Sequence, residues 1–108
     1  MAMTQSPNRS SVPLEISSDG YLHLNCDAAR KYFPEDVLVP LWRTGTLLLL
    51  PTRGPAAGGL MLKQRNPAGD RCLLISEVLN FQYQPGVYQA TWDDQMGALK
   101  LELPPSES

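Results

Sequence analysis

The chain has 108 residues, a formal net charge of −2, 43% hydrophobic residues and two cysteines. That length fits one domain, and the apolar share is enough for a modest core. A slightly acidic sum speaks against a generic nucleic-acid binder. The longest leucine run, residues 47–50, is far too short for a membrane-spanning helix. Cys26 and Cys72, without a CxxC spacing, make neither a zinc site nor a disulfide framework.

Residues 1–11 are polar and lack periodicity, and residues 104–108 hold two prolines and no apolar side chain. Both are expected to be disordered tails around a single β-rich domain at 12–103. No apolar leader segment opens the chain, which points to a cytoplasmic protein.

In chain order, short segments of period-two patterning are each bounded by turn residues, the mark of antiparallel hairpins. "LEISSDGYLHL" places Leu14, Ile16, Leu22 and Leu24 on one face with the turn between them, and leaves His23 toward solvent. One short helix near residues 26–33 follows, capped by Asn25 or Asp27. Arg30 and Lys31 lie near its negative end, Ala29 and Phe33 face the sheet, and Pro34 terminates it.

"VLVPLWR" and "TLLLLPTR" form the next hairpin across Thr44 and Gly45, with Pro40 pushing the first strand toward an edge or a bulge. "GLMLKQRN" meets "RCLLIS" across "PAGD", and "VYQATW" meets "ALKLEL" across "DDQMG". A second helical turn is expected at 76–81. The fold class is therefore mainly β: a small barrel or two packed sheets built from successive hairpins, with one short helix. Residues 47–50 are leucine on both faces, so they form either a central strand covered on both sides or a strand buried against another chain. Leu38 and Trp42 add apolar surface on the preceding strand, and a homodimer is the economical cover.

Charge is distributed unevenly. Residues 37–76 hold Arg43, Arg53, Lys63, Arg65 and Arg71 against Asp70 alone, five positive against one negative, whereas the flanking segments are acidic. The middle third is thus where an acidic partner surface would dock. Within it, "TRGPAAGG" offers the backbone of Gly58 and Gly59 as a possible anion-binding loop. The G-K-[ST] of a P-loop is missing, and a strand rather than a helix follows. Lys63 and Arg65 share one strand face, which Arg71 would join across the turn to make a basic ribbon.

No catalytic set can be assembled. His23 and Cys26 are the one pair suggestive of nucleophilic chemistry, but a single histidine without a second base or an orienting group does not complete a site. Asp93 and Asp94 sit where a turn wants them. Of Trp42, Trp92, Tyr83 and Tyr88, at least half belong to the core, and Trp42 is the preferred surface anchor. Neither cofactor nor metal is expected.

Residues 14–51, with Gly20 at the first turn, Arg30 in the helix and Thr44–Gly45 at the last turn, resemble the swapped-hairpin module of the AbrB and MraZ type. That resemblance implies a barrel, a dimer and, in DNA-binding members, a basic first hairpin. Here the first hairpin carries Glu15, Asp19, Tyr21 and His23, so duplex binding would fall to the basic ribbon. The expected function is a non-catalytic accessory or adaptor module that binds another protein through its apolar strand and the adjacent basic ribbon. The partner-binding residues would be Trp42, Arg53, Lys63, Arg65 and Arg71. An AbrB-like transcriptional regulator is the alternative and a small enzyme the third reading.

Overall fold

The computed structural model describes residues 11–43, 45–52 and 59–103. These residues form nine strands and one helix in the order β1 (Ser11–Ile16), β2 (Tyr21–Leu24), α1 (Cys26–Tyr32), β3 (Val37–Arg43), β4 (Thr46–Pro51), β5 (Leu60–Met61), β6 (Lys63–Gln64), β7 (Arg71–Leu74), β8 (Gly86–Asp93) and β9 (Ala98–Glu102). The expected hairpins form as β1–β2, β3–β4, β6–β7 and β8–β9, all antiparallel. The first strand begins at Ser11, the last residue of the segment expected as a tail.

These hairpins join in one sheet of order β5-β3-β4-β9-β8-β1-β2-β7-β6. Its two end strands, β5 and β6, are consecutive in the chain and separated only by Leu62. One short run therefore pairs β3 on one side and β7 on the other, and the sheet curls into a nearly closed barrel. Counting that run once gives eight strands, a number whose interior side chains can just fill. Leu14, Ile16, Leu22, Leu24, Leu38, Leu47, Leu49, Leu62, Leu73, Leu99 and Leu101 fill it, at one per strand turn of the period-two pattern.

Asn25 caps α1 by accepting a hydrogen bond from the Ala28 N–H at 2.8 Å, which satisfies one of the orphan donors of a helix start. The helix lies across the barrel end where β2 finishes and β3 starts, burying Ala28, Ala29, Tyr32 and the following Phe33. Tyr32 stacks on Trp92 with centroids 5.4 Å apart, and Lys31 sits over the Tyr32 ring. The loop from β7 to β8 closes the other end through Ile75 and Leu79, both fully buried.

Two expectations are corrected by this geometry, and a choice left open for the leucine run is narrowed. Residues 76–81 are a series of turns rather than helix, because Asn80 and Phe81 both take positive φ and break the helical path. Leu38 and Trp42 share the inward face of β3 and do not form a separate apolar surface; Leu38 is fully buried and Trp42 is half-buried against the core. Leu47, Leu48 and Leu49 are buried within the single chain. Leu48 points outward and lies outside the core cluster, but Leu41 flanks it on β3 and Lys100 on β9. The strand's apolar character thus does not by itself require a second copy. Pro40 sits where β3 has run past its two pairs with β5, so its missing N–H costs no ladder bond there among the described residues.

Candidate functional site: a groove where the barrel ladder stops

Strand β6 pairs β7 in a register that sets Lys63 opposite Cys72 and Gln64 opposite Arg71. Continued, that register would set Leu62 opposite Leu73 and Met61 opposite Leu74. The chain instead crosses over at Leu62, whose N–H donates to the Asp36 carbonyl at 2.8 Å, and residues 60–61 pair with β3. The cause is Asp36, the residue just before β3, which takes φ 59° and turns its carbonyl toward the incoming strand. A wedge consequently opens between β5 and β7, narrow at Lys63 and wide toward Leu60.

This wedge is a groove of about 500 Å³ lined by Tyr21, Met61, Cys72, Leu74 and Val78, with Lys63 and Glu77 on its rim. The volume lies within the range of ligand sites. Its lining is apolar yet open: Met61 is 64% exposed and Leu74 47%. Both occupy outward positions that a barrel surface would normally give to polar side chains. The loop that walls the wide end also holds Phe81, exposed and at positive φ, a conformation rare for a bulky side chain.

Beside the groove, Lys63 and Arg65 are exposed and make no ion pair with any described residue. Arg71 does not join them. It faces the other way along the pleat, and its Nε donates to the Asp36 carboxylate at 3.0 Å while Nη1 donates to the Gly69 carbonyl. Its side chain is 18% exposed, so Arg71 ties the turn before β3 to β7 instead of extending a basic ribbon. Trp42 is on the inner face of β3, half-buried against the core, and the leucines of 47–49 are buried, so neither borders this groove. Gly59 leads into β5 half-buried. Arg53 and Gly58 lie outside the described residues.

The neighbouring turn is held by Asp70. Its carboxylate accepts the Cys26 N–H at 2.9 Å and the Asn66 amide at 3.0 Å. These bonds, Asn66 first and the Cys26 amide next, with Arg65 and Arg71 nearby, hold the Asp70 carboxyl below the usual carboxylate range. Asp93 accepts from the N–H groups of Gln95 and Met96, the turn role expected of it. Trp92, Tyr83 and Tyr88 pack partly buried against the core. His23 does point outward, but its strand neighbour is Cys72 rather than Cys26.

No family model, curated protein or solved structure matches the chain. The geometry of the groove therefore carries the functional reading. Sequence reasoning missed its lining, although a signal was present. Met61 and Leu74 each break the alternation of an otherwise regular strand by placing an apolar side chain at a solvent position.

Proposed function

We propose that the protein is a non-catalytic accessory module that docks an extended segment of a partner protein in the groove between β5 and β7. The observation that carries this reading is the halted ladder. Met61 and Leu74 are opposed in register without pairing, so the groove presents strand edges on both sides together with apolar side chains. Strand edges recognise extended backbone, and alternate side-chain pockets give the selectivity. Lys63 and Arg65 next to the narrow end favour an acidic residue in that segment. A cytoplasmic site of action fits two free thiols.

Selection from a random peptide library on the immobilised full-length chain tests this. Selected sequences should alternate apolar residues and carry Asp or Glu, and their binding should shift the backbone amide signals of Met61, Cys72 and Leu74. Leu74→Asp should weaken binding by about tenfold or more, a typical anchor effect, without loss of thermal stability. Amide shifts confined to another face would overturn the proposal. So would tight, steeply salt-dependent binding to random duplex DNA that is lost in Lys63→Gln/Arg65→Gln, which would favour a nucleic-acid regulator.

A further inference from the structure

Four side chains form a row across four adjacent strands on the outer face. Glu15 of β1 lies opposite His23 of β2, His23 opposite Cys72 of β7, and Cys72 opposite Lys63 of β6. Opposed residues of antiparallel strands hold their Cβ atoms about 4.5–5.5 Å apart on one face. Cys72 is thus flanked by an imidazole and an ammonium, and it opens onto the groove. His23 Nδ1 is buried and lacks a hydrogen-bond partner among the described residues, so a base stands beside the thiol with an acceptor or donor unused. The donors of this row do not converge as a metal cage; among the described residues no group of three His, Cys, Asp or Glu side chains does.

Cys26 provides the contrast within the same chain. It is equally half-buried, but it stands among charges of both signs and has no imidazole opposite it. Asp70 binds its backbone N–H, Asp27 follows it in sequence, and its Sγ lies against Gly69, which the Arg71 guanidinium also approaches.

We propose that Cys72 is a site of reversible S-thiolation by small disulfides that carry carboxylate groups. The exchange takes place in the unoccupied groove and does not depend on the peptide reading above. Lys63 attracts the carboxylate of the incoming disulfide. As the Cys72 Sγ attacks one sulfur, the His23 imidazole accepts the thiol proton. A new S–S bond forms and the old one breaks, its electron pair leaving on the second sulfur. That thiolate recovers the proton from the imidazolium and departs as a thiol. Cys72 is oxidised, one disulfide sulfur is reduced, and excess thiol reverses the exchange. The adduct lies in the groove between Met61 and Leu74, where it would exclude any other occupant.

Full-length chains retaining one thiol each, Cys26→Ser and Cys72→Ser, allow a direct comparison. Second-order rates would be measured with dithionitrobenzoate, which is anionic, dithiodipyridine, which is uncharged, and cystamine, which is cationic. In the folded protein Cys72 should react with the anionic disulfide faster than Cys26, on the order of tenfold or more, and the difference should vanish in urea. Lys63→Gln should lower the anionic-to-cationic rate ratio several-fold, an effect of charge steering. His23→Ala should slow all three reagents. Equal rates at the two thiols in the folded chain would overturn the proposal, as would an unchanged charge preference in Lys63→Gln or unchanged rates in His23→Ala. Circular dichroism of each variant separates these outcomes from misfolding, and the Cys26→Ser/His23→Gln chain repeats the base test with a side chain of similar size.

Discussion

Single residues at the α1 end of the barrel hold several elements at once. Asn25 caps α1 through its side-chain oxygen, and the helix exists only because Ala28, Ala29 and Phe33 also bury themselves on the barrel. Asn25→Ala should cost about 1 kcal/mol in a urea titration, and Trp92, stacked on Tyr32, reports the loss by fluorescence. Asp70 gives a pH dependence. Its carboxyl is held below its ordinary value of 3.8 by the Asn66 amide and the Cys26 N–H, so in acid the unfolded chain binds a proton that the folded chain refuses. The resulting stability is full above the ordinary value and disappears as pH falls through it to the lower folded value. In Asp70→Asn the urea midpoint should be lower at neutral pH and should fall less from there to about pH 3 than in the parent chain; a parallel fall in both would show that other carboxylates set the acid limit. Asn25 was legible as a cap because its partner is three residues away. The Asp36–Arg71 pair, 35 residues apart, was not, and Arg71 was accordingly assigned to a ribbon it does not join.

At the scale of elements, the hairpins and the helix were legible because each depends on contacts within about fifteen residues. Leu14, Ile16, Leu22 and Leu24 all point where period two puts them. What alternation cannot express is a strand that changes partner midway. "GLMLKQRN" scans as one strand, yet it serves β3 with Leu60 and Met61 and β7 with Lys63 and Gln64. The groove is a product of that division. The β1–β2 turn shows a second long-range requirement. Gly20 has φ 90°, its carbonyl accepts the N–H groups of Ile75 and Ser76, and a Cβ there would meet Ser76 at 2.8 Å. Gly20→Ala should therefore destabilise by about 1–3 kcal/mol, read from thermal or chemical denaturation. A neutral effect would mean that the loop after β7 is not seated on this turn.

For the molecule as a whole, closure depends on the most distant pairings in the chain. Ser11 lies opposite Thr91 and Thr46 opposite Glu102. Loops of that span must close before their contacts contribute, and barrels of this kind fold in about milliseconds to seconds. Stopped-flow refolding should fall in that range, and a microsecond phase carrying the full amplitude would contradict the topology. Leu62 is buried where the two half-strands meet; Leu62→Ala should cost about 2–5 kcal/mol, the usual penalty for truncating a core leucine. Composition and periodicity led to a small barrel or a pair of sheets. The choice between the two rests on Leu62 and Asp36, whose meeting across 26 positions leaves no local trace. For the same reason the leucines at 47–50 left two covers open, neighbouring strands or a second chain: nothing nearby in sequence names β9, which stands beside residues 47–49.

The interrupted ladder also means that the groove has a rival within its own chain. Two further pairs, Leu62 with Leu73 and Met61 with Leu74, would zip it shut, at the expense of the two pairs that residues 60–61 make with β3 and of the Leu62 N–H bond to the Asp36 carbonyl. Each hydrogen bond is worth only about 0.5–1.5 kcal/mol net, so the exchange returns less than it removes and the open register holds. A strand that enters from outside can use the same edges without that loss.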